Sequence, residues 1–173
     1  MASDSQLSIL IATGDDRPGV LDDVSLYLHE RQVAILESRV SLLRGQFGLL
    51  LLIRGDDAAT KQARNDLPEL DRTAKIRTEL RPASSSPDRD DTPMRLTAYG
   101  TDSASALHRL SHLIRVLNVN IENVETKKTS DTDGGFSLVM DLCVPRATPI
   151  MMLKQYVQSL ADECGISCEV KAL

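Results

Sequence analysis

Apolar residues along the chain recur with two different periods, and the two periods alternate in a regular order. Over residues 5–13, Leu7, Ile9 and Ile11 occupy every second position and alternate with Ser8, Leu10 and Ala12, which is typical of a strand. From Val20 to Leu28, apolar residues recur every three or four positions, which predicts a helix with one apolar face. The first half of the chain continues with further stretches of both kinds, so it is expected to mix strands with helices.

The order of these stretches predicts the fold class. The predicted elements of the first half are strands over 5–13, 35–43, 47–53 and 75–80 and helices over 20–28 and 57–70. An order of strand, helix, strand, strand, helix, strand is typical of a ferredoxin-like α+β domain. Its four strands form an antiparallel sheet, and both helices cover one face of that sheet.

The same pattern restarts in the second half. The predicted elements there are strands over 94–99, 120–128, 136–144 and 166–170 and helices over 107–117 and 148–164. Eight identities lie 86 residues apart (100 − 14 = 86) without a gap: Leu10 and Leu96, Ala12 and Ala98, Gly14 and Gly100, Asp16 and Asp102, Leu21 and Leu107, Ser25 and Ser111, Val33 and Val119, and Ile35 and Ile121. We interpret the two halves as a tandem duplication whose register breaks at the second hairpin, over 130–135.

Proline, glycine and threonine refine the predicted boundaries. Pro18 suits the first position of a helix, where its missing N–H costs nothing, and Pro68 is expected to end the second helix early. Thr148 is expected to cap the last helix, and Gly165 to terminate it. Residues 44–46 are expected to form the turn of the first hairpin.

A segment rich in proline and serine separates the two halves. Residues 81–93 contain three Pro and three Ser and show no apolar period, which is typical of a linker. We therefore expect one domain over 1–81, a linker over 82–93 and a second domain over 94–173.

The composition excludes several classes of function. The net charge is −5 and no run of Lys and Arg occurs, which argues against direct nucleic-acid binding. No apolar stretch is long enough to span a membrane, and the N-terminus lacks a signal-peptide pattern. Three Cys form an odd and sparse set, which favours a reducing cytoplasm. Cys164 and Cys168 lack further metal ligands at a suitable spacing, so buried thiols are expected there.

The stretch from Gly14 to Leu21 joins the first strand to the first helix. A tight turn at this point leaves backbone N–H groups without partners at the start of the helix, where a small anion or carboxylate can bind. This stretch, together with the starts of the strands after Val33 and Val119, resembles the ACT domain, a regulatory module of amino-acid metabolism. A tandem pair without a catalytic domain resembles the glycine cleavage system transcriptional repressor family.

The resemblance implies an arrangement and a ligand site. ACT domains typically pair side by side, with an amino acid at the junction between a strand-to-helix turn and an Asn at the start of the second strand of the other domain. The positions that match are the turn residues Gly14, Asp16, Gly19 and Val20 of the first copy and Asn120 of the second. The complementary site is degenerate: it has Gly100 and Asp102, but Ala34 replaces the Asn and 103–105 replace Arg-Pro-Gly. One competent site is therefore expected.

Each of these residues also has a simpler interpretation. Asp16 can serve only as a helix cap, and Asn120 can simply support a turn. His108 and His112 lie four apart on a helix, a spacing that can bind metal, but surface histidines are expected because no third ligand is evident. The run over 49–52 is expected to be buried on the helix side and covered by a neighbouring sheet or subunit on the other.

These observations favour a regulatory protein that is not an enzyme and needs no cofactor or metal. It is expected to bind a small amino acid, glycine or serine-like, and to modulate a protein partner such as a transcriptional regulator of glycine cleavage. It is expected to form a homodimer or higher oligomer in the cytoplasm, without binding nucleic acid or membrane. The alternative is a ligand-free interaction or oligomerisation module for a metabolic enzyme. Motifs of phosphate loops, nucleophile elbows and metalloproteases are missing from the sequence.

Overall fold

The chain forms two compact units, which we describe separately in a computed structural model. Unit 1 comprises 1–87 and unit 2 comprises 88–173. The structure describes residues 6–84, 90–129 and 134–173. Most of the predicted loop over 130–135 and the middle of the predicted linker lie outside the described residues.

Unit 1 contains a four-stranded sheet and two helices. Its elements are β1 (Gln6–Asp15), α1 (Val20–Glu30), β2 (Ala34–Leu43), β3 (Gln46–Gly55), α2 (Asp57–Ala74) and β4 (Ile76–Pro82). The strand order is β2-β3-β1-β4, and every pair of neighbours is antiparallel.

Unit 2 repeats this topology. Its elements are β5 (Asp91–Gly100), α3 (Ser103–Val116), β6 (Asn120–Lys128), β7 (Phe136–Pro145), α4 (Ile150–Cys164) and β8 (Ser167–Ala172). The strand order is β6-β7-β5-β8, again antiparallel throughout. The predicted fold class, two ferredoxin-like α+β domains, is confirmed.

Each unit has an aliphatic core between its sheet and its helices. In β1, Ser8, Leu10 and Ala12 are buried against the helices, whereas Ile9 and Ile11 lie on the opposite face. In β3, the buried side chains are the odd-numbered ones, which the pairing with β1 places on the same face as Leu10. In unit 2, the large fully buried side chains on the strands follow the same alternation, and those of the helices pack against them: Leu96, Leu138, Met140 and Leu142 from the strands, and Leu110, Ile114 and Leu153 from the helices.

The duplication extends to an irregularity in the sheet. Leu36 is the extra residue of a bulge between β2 and β3, and Glu122 is the extra residue of the matching bulge between β6 and β7. These two residues have the same separation of 86 (122 − 36 = 86) as the identities in the sequence. The offset then rises to 89 in β7, where Met140 occupies the position of Leu51 (140 − 51 = 89), because the second hairpin is longer.

The structure corrects three predicted boundaries. Helix α1 begins at Val20, so Pro18 lies in the turn before it. Pro68 lies inside α2, which continues to Ala74 because the residues beyond the proline, Leu70 among them, are buried in the core. Thr148 does not cap α4: its hydroxyl donates to the carbonyl oxygen of Leu117 at 3.3 Å, and the N-cap residue is Pro149.

The first hairpin turn is shorter than predicted, and the strands beside the linker are longer. Arg44 and Gly45 alone form the turn, both with positive φ (49° and 77°), as a two-residue turn of type I′ requires. Strand β4 extends to Pro82 and β5 begins at Asp91, so the ends of the segment predicted as a linker are strand residues.

The C-cap position is occupied by Lys75 in α2 and by Gly165 in α4, and this difference provides a test of the fold. Lys75 and Gly165 are the C-cap residues and both have left-handed backbone conformations, with φ of 55° and 63°. A side chain at such a position costs on the order of 1 kcal/mol, and glycine avoids this cost. We expect Lys75→Gly to raise the free energy of unfolding of unit 1 by about 1 kcal/mol.

The matched control is Gly165→Ala, which should lower the stability of unit 2 by a similar amount. A Cβ at Gly165 would have no atom within 4 Å, so this effect would arise from the backbone alone. Urea denaturation followed by circular dichroism measures both changes. A loss of stability in Lys75→Gly would contradict this account of the two caps.

Candidate functional site

The turn before α1 leaves the first N–H groups of the helix without a side-chain cap. Gly19 is the N-cap residue, with a left-handed backbone (φ 90°) that favours glycine. Its carbonyl oxygen accepts from the N–H of Asp23 at 2.9 Å and so closes the first helical turn. No side chain of the described residues accepts from the N–H groups at this end. Such groups, at the positive end of the helix dipole, can bind a carboxylate.

Arg17 fixes this turn against the end of α2. Its guanidinium donates to the carbonyl oxygen of Ala74 at 2.9 Å and to the carboxylate of Asp23. A third hydrogen bond, at 3.2 Å, reaches the carbonyl oxygen of Pro18. The cation therefore lies at a helix C-terminus, where positive charge is favourable. Arg17 orders the turn, and its bonds account for much of its donor capacity.

Packing favours glycine at position 14, independently of any ligand. A Cβ at this residue would lie 3.1 Å from Cγ2 of Ile76 and 3.2 Å from the carbonyl oxygen of Lys75. Gly100 in unit 2 has the same neighbour, because a Cβ there would lie 2.5 Å from Cγ2 of Ile166. The close approach of two strands explains why both copies have glycine here.

The equivalent turn of unit 2 has different chemistry. Helix α3 begins at Ser103, three residues earlier than α1 at equivalent positions (106 − 103 = 3). Asp102 is its N-cap, and its carboxylate accepts from the N–H of Ser105 at 3.1 Å. The N–H groups that remain available in unit 1 are therefore partly satisfied in unit 2.

Asp16 does not cap its helix. Its backbone N–H donates to the carbonyl oxygen of Gly45 at 2.8 Å, which ties the turn to the first hairpin. The N-cap of α1 is Gly19 instead, without a side-chain hydrogen bond. The cap interpretation of Asp16 is thus wrong, although it holds for Asp102 in the second copy. Asp16 is exposed, and its carboxylate is accessible beside the turn.

Asn120 lies at the edge of an open pocket within unit 2. Asn120 is the first residue of β6 and is exposed, like its counterpart Ala34 at the start of β2. The pocket has a cavity volume of about 630 Å³. Its lining residues come from the end of α3 and the adjoining strand ends: Asp91, Ser111, Ile114, Arg115, Asn118, Val119, Asn120, Ile121, Cys143 and Pro145.

The polar residues of this pocket were not all predicted. Asp91, Arg115 and Asn118 join Asn120 in the lining, which therefore offers a carboxylate, a guanidinium and two amides. Groups of both signs can bind a small zwitterion. Asn118 has a left-handed backbone (φ 54°), which Asn tolerates better than most residues. The sequence signal for the two amides is the Asn-Val-Asn stretch that follows α3. The resemblance to the family predicted only Asn120 of this stretch.

The predicted site residues therefore belong to separate places in the two units. Gly14, Asp16 and Gly19 occupy the turn of unit 1, and Val20, which is buried, begins the helix after it. Gly100 and Asp102 occupy the turn of unit 2. Asn120 lies at the start of β6 in the same unit, and Ala34 lies at the start of β2 in unit 1.

The histidines and cysteines do not form a metal site in the part of the chain described. His108 and His112 are exposed on α3, with ring centroids 6.4 Å apart. No group of three or more His, Cys, Asp or Glu among the described residues is arranged to hold a metal ion. Within those residues, too, no helix is both long enough and apolar enough to cross a membrane.

Two groups with shifted pKa values are structural. Burial raises the pKa of Tyr27 to about 12, and its hydroxyl donates to the carbonyl oxygen of Ala63. Burial also raises the pKa of the Cys168 thiol to about 11, and the nearby Cys164 adds to this effect. A thiol with so high a pKa is protonated near neutral pH, so Cys168 is not an activated nucleophile.

Comparison with known proteins finds a family match within unit 1. Residues 6–81 match the model of the ACT domain family. Unit 1 is therefore similar to an ACT domain over this range. Unit 2 has the same fold and topology as unit 1. No curated protein matches the chain in sequence.

Two solved structures share the fold over nearly the whole chain. One is a candidate glycine cleavage system transcriptional repressor, with a TM-score of 0.81 at 17% identity over 99% of both chains. The other is a protein of unknown function from Galdieria sulphuraria, with a TM-score of 0.79 at 19% identity over 98% of this chain and 99% of the other. At these identities the similarity establishes the tandem fold.

The different roles of the two turn aspartates provide a second prediction. Asp102→Ala removes the cap of α3, so we expect the free energy of unfolding of unit 2 to fall by about 1 kcal/mol. Asp16→Ala is the matched control at the equivalent position and should leave the stability of unit 1 nearly unchanged, because α1 has no side-chain cap. Chemical denaturation of both variants measures this, and equal losses would contradict the assignment.

Proposed function

We propose that the chain is a non-enzymatic regulatory protein that binds a small amino acid, of the size of glycine or serine, and modulates a protein partner. The observation that carries this proposal is the uncapped start of α1, in the unit that matches the ACT domain family. Glycine at the N-cap brings no side chain to the N–H groups, so a ligand carboxylate can approach them closely.

The second set of ligand contacts is proposed at Asn120. The side-chain carbonyl of Asn120 and the carboxylate of Asp16 can each accept a hydrogen bond from the ammonium group of an amino acid. Both side chains belong to exposed residues. Gly14 and Gly19 then act through the backbone geometry they allow, and Val20 through its backbone N–H.

One competent site is proposed rather than two. Asp102 already occupies the first-turn N–H of Ser105, and Ala34 offers no hydrogen-bonding side chain at the position of Asn120. Gly100 is accounted for by its close contact with Ile166. The degenerate copy thus combines a capped helix with the loss of the amide, which leaves little to recognise an amino acid.

The proposed partner is a protein, such as a transcriptional regulator of glycine cleavage, and the proposed compartment is the cytoplasm. The net charge of −5 supports action through a protein rather than through DNA. Cys143, Cys164 and Cys168 carry reduced thiols, which suits a reducing compartment. Ligand binding would change the affinity for the partner by the coupling between the two sites.

The alternative function is an interaction or oligomerisation module that binds no ligand and regulates an enzyme of amino-acid metabolism. The observation that favours it is the degenerate second turn, where the cap of Asp102 stabilises the fold at the expense of a binding site. A test for ligand binding separates the two functions.

The proposal predicts binding of glycine or serine that depends on Asn120. Isothermal titration calorimetry with each amino acid should show one site per chain. Asn120→Ala should raise the dissociation constant by about tenfold to a hundredfold, because a hydrogen bond to a charged group is lost. At a ligand concentration a hundred times the dissociation constant, the unfolding free energy should rise by about 2.7 kcal/mol.

The control variant is Asn123→Ala, which alters an exposed amide on the same strand but outside the pocket lining. Its affinity should equal that of the unchanged chain. If no amino acid binds, or if Asn120→Ala binds as tightly as Asn123→Ala, the assigned site is wrong. Absence of binding by any amino acid would support the alternative function.

A further inference from the structure

The faces of the two sheets that point away from the helices differ in chemistry at equivalent positions. Four paired positions at the centre of the sheet of unit 1 are aliphatic: Ile9 opposite Leu52, and Ile11 opposite Leu50. The equivalent pairs in unit 2 are Arg95 opposite Asp141, and Thr97 opposite Val139. The duplicated sheets have therefore acquired one apolar and one largely polar outer face.

The polar face of unit 2 is adapted to water. Arg95 donates to the carboxylate of Asp141 at 2.7 Å across the two central strands. Further ion pairs join Lys171 to Glu169 and Lys127 to Glu125, each at 2.8 Å. In unit 1, by contrast, Leu50 at the centre of the sheet is 48% exposed. An exposed aliphatic cluster of this kind is typical of an interaction surface.

The charges at the edges of the apolar face are arranged in two rows of opposite polarity. The first row crosses the sheet from Glu37 on β2, through Leu52 and Ile9, to Arg81 on β4. The second row, next to it, runs from Arg39 through Leu50 and Ile11 to Glu79, in the same order of strands. Each row therefore has a negative and a positive end, and the order of signs reverses between the rows.

We infer that this face binds the same face of a second copy of the chain, with a twofold axis parallel to the strands. Such an axis places β2 of one copy over β4 of the other and keeps the two rows in register. Glu37 then faces Arg81 of the second copy, and Arg39 faces Glu79. Between them, the leucine of each row packs on the isoleucine of the other copy. The surface is thus complementary to itself, as an isologous interface requires.

The charged ends also form a continuous network in this arrangement. Within one chain, Arg81 already donates to Glu79 at 2.7 Å and 2.8 Å, and both side chains are largely exposed. In the dimer, Arg39 of the second copy lies opposite Glu79, and Glu37 of the second copy lies opposite Arg81. The signs alternate along all four groups, so no like charges are adjacent.

The size of the face suits a dimer of this kind. Four strands about 4.8 Å apart and about ten residues long, at about 3.3 Å per residue, cover roughly 600 Å². Two copies would bury roughly 1,200 Å² in total, which is at the lower end of stable interfaces. Two sheets packed face to face lie about 10 Å apart, which leaves room for the Leu and Ile side chains to interdigitate.

The sheet of unit 2 cannot form the same pairing. Its row through Val139 and Thr97 ends in Glu125 on β6 and Glu169 on β8. A twofold axis parallel to the strands would place these two carboxylates opposite each other, which is repulsive. The inference is therefore specific to unit 1, and unit 2 provides matched control positions.

The first test introduces a carboxylate at the centre of each face. Leu50→Glu and Val139→Glu change equivalent positions of the two sheets, both outside the cores. Sedimentation equilibrium of the full chain should show a dimer for the unchanged protein and for Val139→Glu. Leu50→Glu should raise the dissociation constant by about a hundredfold or more, because both copies of the residue lose an apolar contact.

A monomeric unchanged protein would overturn the inference, and so would a dimer that survives Leu50→Glu or that dissociates equally in Val139→Glu. Circular dichroism of the variants checks that each chain is folded.

The second test exchanges the charges that face each other. Arg39→Glu alone and Glu79→Arg alone each place like charges together twice per dimer, so each should weaken association. The double variant restores opposite charges between the two copies and should associate more tightly than either single variant, although the arginine introduced at position 79 would then lie beside Arg81 within each chain. A double variant that is as weak as the sum of the single changes would show that these residues do not meet, and would overturn the arrangement.

The inference develops the oligomer expected for the proposed function but does not depend on ligand binding. Calorimetry with glycine and serine on Leu50→Glu separates the two. A dimer that behaves as expected without any amino-acid binding would leave the inference standing and refute the proposed ligand function. Amino-acid binding by a protein that is always monomeric would support the proposed ligand function and overturn the inference about the dimer.

Discussion

The end of β1 passes so close to the start of β4 that a Cβ on Gly14 would make contacts tighter than nearly all real Cβ contacts. A Cβ there would lie 3.1 Å from Ile76, and one at Gly100 would lie 2.5 Å from Ile166 in the other copy. This contact fixes where each first strand ends and where the chain must turn towards its helix. The packing of both units depends on it, so both copies have glycine even though the residues that follow have diverged.

From this shared starting point, the two copies begin their helices differently. In unit 1, Gly19 provides a left-handed N-cap, and Arg17 ties the turn to the end of α2. In unit 2, the helix starts three residues earlier and Asp102 caps it. A backbone N–H that has an internal acceptor contributes to stability, whereas one without an acceptor is available to a ligand. The turn of unit 2 thus satisfies a backbone N–H within the fold, whereas the turn of unit 1 leaves its first N–H groups without a side-chain acceptor.

The sheets have diverged in a parallel way. Both inner faces retain aliphatic side chains because each unit must bury a core against its own helices. The outer faces carry no such requirement, and they differ: Ile9 pairs with Leu52 in unit 1, and Arg95 pairs with Asp141 in unit 2. An apolar outer face gains free energy when it is covered and a charged one does not, so the two sheets differ in what covering their outer faces would contribute.

The local pattern of residues was enough to predict the order of strands and helices, the duplication and the end of α4 at Gly165, because these features depend on period and backbone preference. It could not determine which face of β1 is buried, since Ile9 and Ile11 are as apolar as Leu10 and Ala12. Nor could it show that α2 continues past Pro68, because the burial of Leu70 is a tertiary contact. The candidate site, too, was predicted only in part. Motif and spacing selected Asp16 and Asn120, but only the backbone of Gly19 decided that Asp16 is not a cap, and only the fold placed Asp91 and Arg115 beside Asn120. A cap depends on the backbone conformation of a single residue, and a pocket depends on residues that are distant in the chain. Neither is encoded in the local pattern.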